Sequence, residues 1–250
     1  MNGEIKKLKD DAGKYIYPIT VGQAVFVEPN KTLTQKLSEI GSGGAVTLEK
    51  PWKGKVLNIH GDSNAASTTP ELGLSYVDAV KQEHEFLTYN KYARSGYNMQ
   101  QIYTDFITQN TSADLVIISG GGNIPPGGTG TINDTVTNTV YGALNNMVAW
   151  YFANMPHATL VIIGTSQVKS GMDGMIESSA GLDRKKRYLA MKEVAEKFSV
   201  PFINLWTDSG ITAYNADYLT KDGTHPNALG YARQIYLINK ALYNVFPVNY

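Results

Sequence analysis

The chain has 250 residues, 42% hydrophobic and 18% charged, enough apolar material for the core of one main domain and inconsistent with disorder by composition. Its 22 lysines and arginines balance 22 aspartates and glutamates, so no bulk positive field recruits nucleic acid or anionic lipid. The absence of cysteine excludes disulfides, thiolate catalysis and cysteine metal sites. No apolar run reaches the roughly 18 residues of a membrane helix, and the opening residues have no signal-peptide apolar core. The expectation is a soluble polypeptide with neither a membrane nor a nucleic-acid partner.

Residues 1–50 differ in character from the rest of the chain. Residues 15–27, YIYPITVGQAVFV, set β-branched and aromatic side chains around Pro18 and Gly22 and predict short extended pieces. Residues 32–40, TLTQKLSEI, predict one or two helical turns, and residues 41–44, GSGG, a flexible linker. The chain thus divides into an arm, residues 1–44, and a main domain, residues 45–250. An arm this short cannot bury its own core, so it is expected to dock on the main domain, pair with another copy as a homo-oligomer, or attach to a larger assembly. The pattern YPIT…AV…TLTQKL resembles N-terminal segments of phage tail and baseplate proteins, and suits an ordinary arm as well. The first alternative implies a virion, the second a cytoplasmic location.

In residues 55–67, KVLNIHGDSNAAS, Val56, Leu57 and Ile59 predict a buried parallel strand that breaks off into Gly61, Asp62 and Ser63. Ser63 then lies at the carboxyl end of a strand, where open α/β sheets keep their chemistry. Serine is equally a residue that caps helices and turns. Asp62 is expected to hold the turn by accepting backbone N–H bonds. His60 either lines the floor of a site or is a satisfied buried histidine.

Further along, residues 72–83 predict a helix with Leu74, Val77 and Val80 on one face, and residues 85–93 a second strand. His84, among Gln82, Glu83 and Glu85, reads as a solvated residue, and His157 as an exposed turn residue. Residues 99–109 predict a helix with Ile102, Phe106 and Ile107 inward. The unbroken apolar run of residues 114–119, DLVIIS, predicts a strand covered on both faces. Helix 135–154 with Val136, Val140, Leu144, Met147 and Tyr151, strand 159–164, charged amphipathic helix 183–198, strand 200–205 and helix 228–243 complete the alternation. The fold class is therefore α/β: a doubly wound, flavodoxin-like, five-stranded parallel sheet between helices. Long connections at residues 124–134 and 165–181 are expected to wall a site. Neither has a Gly-Lys-Ser/Thr ending, no helix opens from Gly120, Gly121 and Gly122, and no His/Asp/Glu set has metal spacing, so no cofactor and no metal are expected.

Residues 219–231, LTKDGTHPNALGY, place Asp222 three residues before His225, ahead of the last helix. A serine hydroxyl needs a base to take its proton, and the base needs an orienting carboxylate. Asp222 and His225 supply both, although Asp-Gly is also a common turn.

Together, the Gly-Asp-Ser after the first strand and the Asp-x-x-His before the last helix resemble the SGNH (GDSL-type) esterase and hydrolase family, across roughly residues 55–245. Two further blocks fit. In residues 93–97, ARSGY, the resemblance implies that the Gly96 N–H joins an oxyanion hole; in residues 117–124, IISGGGNI, it implies that the Asn123 amide does so, beside the N–H of Ser63. One departure is Ile124, where the family usually has Asp. What the resemblance implies is a serine hydrolase acting on carboxylic ester bonds of a small molecule or polysaccharide, with Ser63, His225 and Asp222 catalytic. The small, polar, glycine-rich loops, 16 tyrosines and three tryptophans favour short-acyl, O-acetyl esters of carbohydrate. The alternatives are a lipase or thioesterase of the same family, or a phage or cell-surface binding module with a hydrolase fold.

Overall fold

The structure, a computed structural model, describes residues 8–9, 15–16, 50–67, 75–169 and 184–248. The chain divides into two compact units, Met1–Glu49 and Lys50–Tyr250. In the first, the described strands β1 (Leu8–Lys9) and β2 (Tyr15–Ile16) pair antiparallel. The predicted helical turns at 32–40, the linker at 41–44 and the whole phage-like pattern lie outside the described residues.

In the second unit, short apolar runs form β3 (Val56–Gly61), β4 (Thr88–Lys91), β5 (Leu115–Ser119), β6 (Thr159–Gly164) and β7 (Phe202–Asn204). They make one five-stranded sheet in the order β4-β3-β5-β6-β7 with every pair parallel, the flavodoxin-like arrangement. Side chains alternate across a strand, so each central strand feeds two cores. Leu115, Ile117, Val161 and Ile163 pack with α2 (Tyr76–Glu83) and α8 (Ala228–Leu242). Val116, Ile118, Leu160 and Ile162 pack with α3 (Met99–Phe106), α4 (Val140–Asn154) and α5 (Arg184–Lys197). The short helices α1 (Ser63–Ala66), α6 (Leu205–Asp208) and α7 (Ala216–Leu219) sit in the connections.

Element ends differ from the sequence reading where side chains cap the backbone. Ser75 and Asp78 form a capping box, so α2 begins at Tyr76; residues 72–74, Leu74 included, lie outside the described residues. Helix α4 begins at Val140, not near 135, because Asp134 accepts from Thr131 and Thr139 and winds the preceding segment into a turn. Val136 is consequently exposed. Ile107 is the C-cap of α3 and only half-buried. The strand expected over 85–93 is confined to Thr88–Lys91, since Glu85 takes a positive φ of 53° and turns the chain.

Two charged or titratable positions depart more sharply. His84 is fully buried, not solvated: it caps the end of α2 with its ring 4.7 Å from that of Tyr243. Helix α5 is not simply amphipathic, since Arg184 and Arg187 are buried beside Tyr188 and Met191. His157 is exposed, as expected. Among the described residues, no helix is long and apolar enough to cross a membrane.

Candidate active site

The strand order reverses between β3 and β5, and the crevice at their carboxyl ends is where an open α/β sheet has room for a ligand. Strand β3 must stop there at glycine: a Cβ on Gly61 would overlap the carbonyl oxygen of Ser119 at the end of β5. Asp62 follows as the N-cap of α1. Its N–H donates to Ser119 O at 3.1 Å, and its carboxylate accepts from Asn64 N at 3.0 Å and Gly122 N at 2.8 Å. Ser63 is thereby the first residue of α1, half-buried at the sheet rim. The expected backbone-holding role of Asp62 is what the contacts show.

His225 arrives from the loop between α7 and α8. Gly223 turns the loop with φ of +83°, the Lys221 N–H donates to His225 O at 2.9 Å, and Asn227 caps α8 by accepting from Gly230 N at 3.1 Å. His225 Nε2 lies 2.9 Å from Ser63 Oγ, and Nδ1 lies 2.7 Å from Asp222 Oδ2. The other Asp222 oxygen accepts the N–H groups of Thr224 at 3.0 Å and His225 at 2.7 Å. Partial burial alone would raise the Asp222 carboxyl, but the bonds from His225 and Thr224 outweigh it and hold the group below its ordinary value. A proton can pass from hydroxyl to imidazole along this line while the carboxylate fixes the tautomer.

Gly96 lies in the loop after β4 with φ of +82°, the left-handed region that favours glycine. That loop is anchored to the turn carrying Ser63 by Arg94 N donating to Gly61 O at 3.0 Å. Asn123, on the turn after β5, donates from its side-chain amide to Tyr97 O at 2.9 Å and forms a parallel bridge with Asn98. Ser63, His225 and Asp222 are thus joined directly, whereas Asn123 is bonded to the residue that follows Gly96, and both reach the turn carrying Ser63 through neighbouring backbone.

His60 is buried away from this line, with Nε2 3.0 Å from Gln109 Oε1 and its ring stacked on Tyr92 at 4.6 Å. Behind the turn that carries Ser63 is a small recess of mixed character, lined by Asp62, Ser119, Ser166 and Gln234 together with Tyr76 and Leu205. The sequence reading missed Arg184 and Arg187 in this neighbourhood. The available signal was their spacing: Arg184, Arg187, Met191 and Val194 recur as one helical face. Among the described residues, no group of His, Asp and Glu side chains could hold a metal ion. Of the second expected wall, residues 170–181 lie outside the described residues.

A doubly wound parallel sheet with a serine on the turn after its first long strand, hydrogen-bonded to a histidine from the loop before its last helix, defines a hydrolase of the α/β class. The chain belongs to the GDSL-like lipase/acylhydrolase family, whose model matches residues 59–233, and is by that membership an ester hydrolase. No curated protein sequence matches it. Solved structures share the fold. A Lactobacillus plantarum protein, 20% identical, superposes with a TM-score of 0.69 over 78% of this chain and 99% of that one. A lipase/acylhydrolase from Enterococcus faecalis, 19% identical, gives 0.59 over 76% and 96%. A catalytic mutant of an acetylxylan esterase from Geobacillus stearothermophilus, 14% identical, gives 0.57 over 78% and 96%.

Proposed function

We propose that the chain hydrolyses short-acyl esters, O-acetyl groups on carbohydrate foremost, through a Ser63 acyl-enzyme. The observation that carries this is the 2.9 Å approach of His225 Nε2 to Ser63 Oγ, with Asp222 on the far side of the ring. Ser63 Oγ attacks the ester carbonyl as His225 takes its proton, and Asp222 stabilises the imidazolium. The N–H groups of Ser63 and Gly96 and the Asn123 amide receive the oxyanion. An asparagine amide has two N–H donors, so the bond to Tyr97 O fixes its orientation and leaves one for the substrate. His225 then returns the proton to the leaving alcohol, and water, activated by the same imidazole, releases the acid and restores Ser63.

Support for a small acyl group and a sugar comes from the surroundings. Residues 124–134, the expected wall, are small, polar and glycine-rich in sequence, and Tyr214 and Tyr218, 95% and 70% exposed, precede the His225 loop with ring faces available for stacking. One protein of like fold is an acetylxylan esterase. The test is hydrolysis of p-nitrophenyl acetate by the wild type and Ser63→Ala, beside fluorophosphonate labelling read by peptide mass. Turnover and a label on Ser63, both lost in the variant, are expected; equal rates in the two proteins would end the assignment.

A further inference from the structure

Arg187 is fully buried on α5, and its guanidinium reaches across to the glycine turn after β5. Nε donates to Gly121 O at 2.9 Å and Nη2 to Gly122 O at 3.1 Å. The N–H of Gly122 donates in the opposite sense, to Asp62 Oδ2 at 2.8 Å. The Gly121 carbonyl and the Gly122 N–H are two edges of one planar peptide unit. A cation grips one edge and a carboxylate the other, so rotation of that plane is fixed from both sides. The second guanidinium bond fixes the next plane, from which Asn123 springs.

The turn needs such a hold. Gly121 has φ of +90°, and consecutive glycines have the widest backbone freedom of any residues. A larger residue at Gly121 would be strained by that φ and stand 2.8 Å from Met191 Sδ, and one at Gly122 would stand 2.7 Å from Asp62 Oδ2 and push the carboxylate off its bond. Glycine suits both places, and glycine leaves the orientation of Asn123 to be set from outside.

We propose that Arg187 is a positioning residue for ester hydrolysis: by forking the carbonyls of Gly121 and Gly122 it aims the Asn123 amide at the oxyanion, while Asp62 ties the same turn to Ser63. This rests on the reading of Asn123 as an oxyanion donor. A planar fork matched to two acceptors is a property of arginine; lysine keeps the charge and loses the fork.

The test is a double-mutant cycle on p-nitrophenyl acetate with Arg187→Lys, Asn123→Ala and the pair, each checked for a cooperative thermal transition. Asn123→Ala alone should lower kcat by about 10²-fold, as loss of one oxyanion donor does. Arg187→Lys should lower kcat by roughly 10-fold with KM little changed, and by less than about 2-fold once Asn123 is gone, because groups acting through one another are not additive. The same loss in both backgrounds, or none in either, overturns the positioning role. If Arg187→Lys does not fold, Arg187→Gln, which keeps two N–H donors without the charge, is read by the same criterion. A wild type that neither turns over the ester nor takes the fluorophosphonate label would overturn the esterase reading and this inference with it, whereas an active wild type with additive losses overturns the inference alone.

Discussion

His225 and Ser63 are 162 positions apart in the chain, yet Nε2 of one meets Oγ of the other at 2.9 Å. The two helices that flank them are pinned together, since the Tyr231 hydroxyl on α8 donates to the Asn64 carbonyl on α1 at 3.0 Å. The meeting is therefore a property of the packed sheet and its helices, with the imidazole turned correctly only if Asp222 holds its far side.

That dependence gives the first prediction, for Asp222→Asn. The Asp222 oxygen that accepts from Thr224 and His225 N–H groups would be kept as the amide oxygen. The amide nitrogen would then face His225 Nδ1 and drive the proton to Nε2, where it blocks acceptance from Ser63. A fall in kcat of roughly 10³–10⁴ is expected with the fold intact, as a wrong tautomer demands. Steady-state kinetics beside a thermal melt checks it, and a loss under about 10-fold would remove Asp222 from the mechanism.

Two glycines of the site should respond differently to alanine. At Gly96 no atom of the described residues lies within 4 Å of an added Cβ, so the resistance is that of the left-handed backbone, about 1–2 kcal/mol. Gly61→Ala drives its methyl into the Ser119 carbonyl and pries β3 from β5, which should cost about 3 kcal/mol or leave the protein insoluble. Denaturant midpoints of the two variants should fall in that order; a Gly61→Ala protein as stable as Gly96→Ala would mean the strands part more easily than the packing implies.

Much of this was legible beforehand for a physical reason. Residues 115–119 and 159–164 are apolar almost without a break because both faces are covered, and that pattern is local. Ser63, Asp222 and His225 sit beside turn formers whose geometry is also local. What could not be read is long-range. His84 looked solvated among Gln82, Glu83 and Glu85, yet its ring is capped by Tyr243 at the end of the last helix. Arg187 sits on a helix rich in charge, and its acceptors lie on the glycine turn after β5, far away in the chain. The start of α4 misled because helical spacing continues into a segment that Asp134 winds into a turn.

The substrate reading predicts a falling acyl-length series. If the site takes acetyl esters, kcat/KM for p-nitrophenyl esters should peak at acetate or propionate and decline beyond butyrate. A long apolar channel would add about 0.8 kcal/mol for each buried CH₂, roughly fourfold in kcat/KM. A rise continuing to octanoate would therefore replace the acetyl-ester reading with a lipase one. Deacetylation of acetylated xylan, followed by acetate release, tests the carbohydrate half.

The last prediction concerns stability against acid and does not involve the Ser63–His225–Asp222 line. His60 and His84 are both fully buried, and burial pushes each imidazole down to about 4. At His60 the Gln109 carbonyl oxygen already accepts from Asn58 Nδ2 at 2.8 Å, so it can only accept from His60 Nε2, which assigns the neutral Nε2–H tautomer. A second proton would go to Nδ1, which has no hydrogen-bond partner among the described residues. In an unfolded chain histidine titrates near 6.5, so between there and about 4 the unfolded state binds more protons than the folded one. The contribution of these two residues is complete above about pH 6.5 and is lost as the pH falls towards 4, on the order of 3 kcal/mol for each. Urea midpoints measured from pH 8 to 4 should drop across that window. His84→Phe, which keeps a ring between Phe86 and Tyr243 and removes one titration, should reduce the slope by about half between roughly pH 6.5 and 5, above the range where carboxylates titrate. An unchanged slope in that variant would show that His84 takes up its proton as readily folded as unfolded, and that the acid sensitivity lies elsewhere.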